Sequence, residues 1–315
     1  MIWLAIVLGL WNLWQLAWLN HQIRSVSRES IRNIDRQGVS IIIAAHNEAS
    51  NLAAQLPGWL DQQYPKWECI LVLDRCMDAS LEIAESFQQN EPRLRIISIV
   101  RVPEGWSPKK WAIEQGAKSA QFDHWVLTDA DCSLGPMWLE KHAEIVGSSA
   151  ELVLGVGAYQ KQAGFLNLVV RMETWFTALQ YIGAAAGGLP YMGVGRNLAY
   201  TRGFYTRSGG MEAIRQHLSG DDDLLVNANA DPARTKVLLH PDSWTWSLAP
   251  QTWADWWHQK TRHVSAANQY SLYSRFWLGS LHMSQIGFWT AAILACFLTE
   301  SPLWGPGIIL AGRLL

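Results

Sequence analysis

Cysteine is scarce in this sequence, and Cys69, Cys76, Cys132 and Cys296 are scattered with no close pair and no zinc-ligand spacing. That excludes a disulfide framework or a zinc module and leaves unpaired thiols of a reducing compartment. Net charge is also nearly absent. A formal value of −2 offers no basic field for nucleic acid. It does not exclude an anionic ligand, because a bound metal supplies positive charge locally. Two glycine signatures are missing as well. No Gly-x-Gly-x-x-Gly follows the first apolar run, which removes the main support for a dinucleotide site. No Gly-x-x-x-x-Gly-Lys-Ser/Thr occurs, which removes a P-loop. Internal repeats and low-complexity tracts are absent too.

Tryptophan, in contrast, is abundant at 19 residues, with clusters at Trp3, Trp11, Trp14 and Trp18 and again at Trp253, Trp256, Trp257 and Trp277. Such rings suit a bilayer interface. The run 2–19 is apolar apart from Asn12 and Gln15 and is just long enough to span. No small-residue cleavage site follows, so an anchor is expected over 1–20 and not a signal peptide. Arg24, Arg28, Arg32 and Arg36 come next, in a linker over 21–38. By the positive-inside rule they place the following domain in the cytoplasm, on a bacterial inner membrane. An amphipathic interfacial helix is the other reading of the same segment. A second apolar segment covers Phe276 to Leu298, and a third begins after Pro302 and reaches Leu315, so 276–315 is expected to be an incomplete C-terminal membrane region.

Between these segments, over 39–250, short branched runs alternate with helical stretches. Strands are predicted at 39–44, 69–73, 95–100 and 125–128, and helices at 51–62, 80–89 and 108–120. Ser107 before Pro108 is a good helix start. The alternation predicts a doubly wound α/β domain with a mostly parallel sheet, whose ligands bind beyond the carboxyl ends of the strands. After residue 150 the pattern becomes irregular, with one further strand within 234–240. The stretch 251–275 is basic, Trp-rich and amphipathic, as a helix on a membrane surface would be.

The chemistry-bearing residues stand where that architecture needs them. The first strand ends in Ala45-His46-Asn47-Glu48, the second at Asp74 with Asp78 four residues on, and the fourth in Asp129-Ala130-Asp131. On an extended chain Asp129 and Asp131 project to the same side, where two carboxylates repel unless a cation joins them. Mg²⁺ or Mn²⁺ completed by substrate phosphates fits that pair. Asp221–Asp223 also suit the start of a helix near Leu224, as a solvated cap. Lys110 is expected on an exposed helix face.

From Val39 to Arg275 the chain resembles the family 2 glycosyltransferases of the GT-A fold. The resemblance rests on Ala44–Glu48, on Asp74 with Asp78, and on Pro108–Gly116 for a Gly-Lys-x-x-Ala-Leu-Asn-x-Gly helix. It rests also on the Asp129/Asp131 pair, Gly193–Tyr200, Gly220–Leu225 and Gln259–His263. Pro108 and Glu114 replace Gly and Asn, Asp221 replaces Glu, and His263 replaces Trp. The resemblance implies membrane-bound relatives such as ceramide glucosyltransferases and β-polysaccharide synthases. It assigns Ala45, Asn47, Glu48, Asp74, Asp78, Lys109, Asp129 and Asp131 to the nucleotide-sugar donor. Asn197, Asp221, Gln259 and His263 fall on the acceptor side. Asp222 falls at the catalytic base and Arg262 at a clamp on the leaving diphosphate. The function so implied is inverting transfer from a UDP-sugar to a lipid or lipid-linked acceptor, with membrane lipid as a further partner. Synthesis of a β-linked polysaccharide is the first alternative. A metal-dependent nucleotidyltransferase is the second, although it would be expected to carry a Gly-rich basic loop after the first strand. A silent membrane scaffold has no need of carboxylates at successive strand ends.

Overall fold

The computed structural model describes residues 2–26, 37–147, 150–217 and 219–298. Helix α1 (Ile2–Ser25) opens the chain. Strand and helix then alternate as predicted: β1 (Val39–Ala45), α2 (Ala49–Leu60), β2 (Trp67–Asp74), α3 (Ser80–Gln88), β3 (Leu94–Ile99), α4 (Pro108–Ser119) and β4 (His124–Asp129). β2 is buried along its whole length and β1 nearly so, as a parallel core sheet requires. Val39 of β1 stands opposite Trp67 of β2 and His124 of β4. That common register brings the carboxyl ends of the three strands level, with Ala45 opposite Leu73 and Ala44 opposite Asp129.

Shorter elements follow: β5 (Ser133–Leu134), α5 (Trp138–Ala143), β6 (Leu152–Leu154) and β7 (Gly157–Tyr159). After them come α6 (Phe165–Ala186), β8 (Leu198–Thr201), α7 (Arg202–Arg207), α8 (Asp223–Asn229), β9 (Thr235–Val237), β10 (Thr245–Ser247), α9 (Trp253–Ala267) and α10 (Leu272–Leu298). The main sheet runs β3-β2-β1-β4-β8-β6-β9, with β8 antiparallel to both neighbours. A second sheet, β5-β10-β7, lies beyond it. The amphipathic stretch expected over 251–275 is in fact two helices, because α9 ends at Ala267 and α10 begins at Leu272.

Ile41, Ile43, Leu71 and Val126 of the sheet pack with Leu52, Leu56 and Trp59 of α2 in one apolar cluster. Each such side chain contributes about 1.5–3 kcal/mol when taken from water. α4 lies on β1 and β2 at the closest possible range. A Cβ at Gly116 would stand 2.6 Å from Ile42 Cγ2 and 3.3 Å from Val72 Cγ2. Only glycine lets the helix sit at that depth.

α1 and α10 form a separate compact unit. Asn12 Nδ2 donates to Ser284 Oγ at 3.1 Å, and Ser284 Oγ donates to Gln15 Oε1 at 3.0 Å. Gln15 Nε2 and Trp11 Nε1 both donate to Ser280 Oγ. Gly9 meets Phe288 and Gly287 meets Leu8, so the helices cross closely. Here the membrane reading fails. Among the described residues no helix is long and apolar enough to cross a membrane. Asn12 and Gln15 in α1, and His282, Ser284 and Gln285 in α10, interrupt the apolar runs. The transmembrane anchors, and the inner-membrane placement built on them, are withdrawn with it. Arg28, Arg32 and Arg36, and the third segment after Pro302, lie outside the described residues.

Candidate functional site

The level ends of β1, β2 and β4 form the first side of the candidate site. Among the described residues, the two non-glycine positions with positive φ both lie here, at Asn47 (φ 55°) and Arg75 (φ 48°). Left-handed backbone at such residues is held by its surroundings and clusters at functional sites. Asn47 Oδ1 accepts from Met77 N at 2.8 Å, tying the loop after β1 to the loop after β2. His46 likewise pairs through Nδ1 with the Asp74 carbonyl. Asp74 is buried and takes a two-pronged bond from Arg75 at 2.8 and 2.9 Å. Asp78 accepts from Ala49 N and Ser80 N, so its carboxylate joins the N-termini of α2 and α3. Its hydrogen bonds, that of Ser80 first, hold it below the usual carboxylate range. Both residues therefore shape this side while their own acceptors are engaged.

Glu48, Asp129 and Asp131 carry the negative field. Burial pushes Glu48 up, and the charges of Asp131, Asp129 and Asp78 push it further against the Asn51 hydrogen bond. Burial and then Asp129 raise Asp131, opposed by Cys132 and Arg196. Asp131 sits in the turn after β4, not on the extended strand. Carboxylates crowded in this way favour a cation among them.

That cation, in this structure, is Lys109. Its Nζ lies 2.9 Å from Asp129 Oδ1 and 3.0 Å from Asp221 Oδ2. One ammonium thus joins the carboxylate at the end of β4 to the carboxylate two residues before α8. Lys109 is itself exposed; partial desolvation opposes its charge, but Asp129, Asp221 and Asp222 outweigh it and hold Lys109 well above the ordinary lysine range. Burial likewise lifts Asp221, yet Lys109 brings it below its usual value. Asp222 goes the other way. Burial and the Asp221 charge raise it to about 6, against the pull of Lys109 and the amides of Asp223 and Gly195. Asp222 is also the cap of α8, accepting from Asp223 N at 2.8 Å and from Gly195 N at 2.5 Å. Asp222 does cap α8, but not as the solvated cap expected: it is half-buried and held by the Gly195 amide. Asp223 points elsewhere: it is buried beside Tyr270, and burial with the Asp222 charge raises it strongly.

α9 supplies the far side. Gln259 Nε2 donates to Tyr159 OH at 3.0 Å, and Lys260 pairs with Glu173 of α6. Arg262 is exposed. His263 is exposed like Arg262; crowding by the surrounding protein, then the charges of Lys260, Arg262, Arg196 and Lys109, lower it. Trp256 packs against the small Tyr159–Val170–Ala249 cluster, whereas Trp253 and Trp257 are exposed.

Two expectations change here. Asn197 does not offer its amide to an acceptor. It is fully buried, its Oδ1 accepts from Trp138 and His142, and its Nδ2 donates to Val156 O and Ser243 O at 2.8 Å each. Every position of that amide is taken. Lys110 is not on an exposed face; it is fully buried, with Nζ donating to three carbonyls. Sequence reasoning also missed Arg196, which bonds Gly157 O at 3.0 Å, lies 4.4 Å from the Tyr159 ring and faces Asp131 electrostatically. Its place inside the Gly193–Tyr200 loop was the available signal.

Among the described residues no three His, Cys, Asp or Glu side chains converge as a ready-made metal cage. A level row of strand-end carboxylates in a mixed sheet, faced by a basic helix, is the arrangement against which known proteins can be compared. Residues 36–266 match the family model described as glycosyltransferase like family 2. The chain belongs to that family. It is similar to probable glycosyltransferase YdaM of Bacillus subtilis, at 25% identity over 259 residues, 77% of this chain and 57% of that protein. Glycosyltransferase AglE of Haloferax volcanii is 30% identical over 120 residues, 37% of this chain and 38% of that one. The chain thus spans 57% and 38% of these two relatives. The solved mannosyltransferase PcManGT of Pyrobaculum calidifontis, in complex with GDP-Man and Mn²⁺, aligns with a TM-score of 0.67 at 17% identity. The alignment covers 98% of this chain and 91% of that one, and it establishes the shared GT-A-like fold.

Proposed function

We propose that this family 2 glycosyltransferase domain transfers a sugar, with inversion, from a nucleoside diphosphate donor to a hydroxyl acceptor. The observation that carries the reading is Lys109, whose single ammonium bridges Asp129 at 2.9 Å and Asp221 at 3.0 Å. Donor-side and acceptor-side carboxylates therefore face one another across one charge. The acceptor hydroxyl attacks the anomeric carbon, the bond from that carbon to the diphosphate oxygen breaks, and Asp222 takes the hydroxyl proton. A carboxyl raised to about 6 is ionised yet basic at neutral pH, as a general base should be. Asp221 holds Lys109, and Lys109 together with Arg262 places positive charge where the diphosphate leaves.

Asp129 and Asp131 fit a divalent ion, because Mg²⁺ and Mn²⁺ are ordinarily held by one or two carboxylates and completed by substrate phosphates. The crowding that raises Asp131 is the electrostatic demand such an ion would answer. When bound, Mg²⁺ or Mn²⁺ would add charge for the departing diphosphate. The neighbouring fold solved with GDP-Man and Mn²⁺ supports the same donor chemistry. The lipid or lipid-linked acceptor expected from the sequence leaned on too few membrane segments for a translocation channel, beside a Gln-x-x-Arg-type motif common to both acceptor classes; the site itself asks only for a hydroxyl. The test is release of nucleoside diphosphate from a panel of UDP-, GDP- and dTDP-sugars with Mn²⁺. No release from any of them, or pyrophosphate formed from nucleoside triphosphates instead, refutes the proposal.

A further inference from the structure

The least expected group near the candidate site is a fully buried ammonium that touches no carboxylate. Lys110 follows Lys109 on α4, but its chain turns inward and its side chain is sealed from water. Nζ donates to the carbonyls of Ile214 at 2.9 Å, His217 at 2.6 Å and Ser219 at 2.9 Å. An ammonium has three N–H donors, and all three are used. Burying a charge without a contact ion is unfavourable, so a side chain of this kind is retained where something else requires it. What these three carbonyls share is a loop that leads directly to Asp221 and Asp222. The same helix end grips the loop a second time, with Ser107 N donating to Arg215 O at 2.9 Å. The loop then turns at Gly220, whose φ of +83° and close approach to Leu224 suit glycine alone. Asp221 emerges onto Lys109, and Asp222 onto the Gly195 amide.

We propose that Lys110 is the positioning residue of this acceptor-side loop: its ammonium gathers the three carbonyls so that Asp221 and Asp222 arrive at Lys109 and Gly195. The inference rests on the reading of Asp222 as the base. Lys109 grips the carboxylate and Lys110 grips the backbone behind it. Two adjacent lysines of one helix turn thus hold the loop from opposite sides.

The test compares Lys110→Met and Lys110→Gln with wild type in the full chain. Amide exchange within 212–223 should speed up about tenfold or more in Lys110→Met, while β1, β2 and β4 stay protected. UDP and GDP binding with Mn²⁺ should remain within about twofold, whereas nucleoside diphosphate release falls about 10- to 100-fold, the usual effect of a misplaced catalytic group. Lys110→Gln keeps two donors and should fall between; it carries the same measurements if the methionine variant does not fold. Unchanged exchange in 212–223, or exchange rising equally in the central strands, overturns the proposal. Asp222→Asn run in parallel separates the two claims. If it turns over normally the base assignment falls, while the exchange result still decides whether Lys110 holds the loop.

Discussion

On the assignment of roles proposed above, the strand-end carboxylates form a donor half and the loop carboxylates an acceptor half, and the two are held by different means. On the donor side, Glu48, Asp74 and Asp129 stand at or just beyond the ends of three parallel strands in common register. Backbone pairing brings the strand ends level, and short bonds between the following loops hold what lies beyond them. On the acceptor side, Asp221 and Asp222 follow an irregular loop and are placed by side chains, chiefly Lys109, Lys110 and the cap contact to Gly195. A strand end is fixed by many cooperative bonds, whereas a loop is fixed by a few, each of which matters more. Donor geometry should therefore tolerate single substitutions that acceptor geometry does not.

Removing the metal should have the largest effect. Excess chelator should abolish nucleoside diphosphate release, and Mn²⁺ or Mg²⁺ should restore it; Asp131→Asn should weaken UDP or GDP binding and turnover together. Full turnover in chelator would break the comparison at its donor end. Next comes Asp222→Asn, for which transfer should fall about 10²- to 10⁴-fold, with nucleoside diphosphate binding kept near normal. A variant that transfers at the wild-type rate removes Asp222 from the base position.

The pH dependence sharpens the same point. Wild-type turnover at low substrate should rise through about pH 6 as Asp222 loses its proton, and hold above it. Stability has the opposite slope. A carboxyl raised in the folded state favours folding while protonated, fully below its unfolded value near 4, and loses that contribution as pH passes about 6. Asp222→Asn should flatten both trends, as seen in rate profiles and denaturant melts across pH 4–8. Asn197→Asp removes both donors from Val156 O and Ser243 O and should destabilise the fold by about 2–4 kcal/mol. Its binding of UDP or GDP should change little; a changed acceptor KM at unchanged stability would return Asn197 to the acceptor side. The smallest effect belongs to Asp223→Asn. Asp223 is buried beside Tyr270 and turned away from Lys109, and burial with the Asp222 charge raises it, so turnover of the variant should stay close to wild type.

The sequence made the donor half legible because its signals are local and repeated. Val39–Ala45 and Trp67–Asp74 are runs of buried apolar residues, and a carboxylate or amide turn closes each one. The acceptor half hides its order. Its strands are mostly three or four residues long, too short for a period to register. The 22 residues of α6 bury Val170, Ala178 and Ile182 yet expose Phe165, Leu168, Met172 and Trp175. Apolar residues on both faces erase the helical stripe. Lys110 was misread for a related reason. Lysine is a surface residue by default, and its partners lie more than 100 positions away as backbone carbonyls, which leave no mark in side-chain identity. The membrane reading failed because length and tryptophan count were weighed above the polar residues Asn12 and Gln15, which α1 spends on α10.

Gly116 bears on all of this through its missing atom. It works as a spacer of zero thickness under α4, about two turns from the lysines nearer the other end of that helix. Adding one methyl group there inserts a shim against Ile42, and a rigid rod lifted near one end tilts at the other. Gly116→Ala should therefore act at a distance, shifting the seats of Lys109 and Lys110 while leaving both side chains intact. The depth at which a helix rests on a sheet is set by one residue, and the alignment of the candidate site is read out at the rod's far tip.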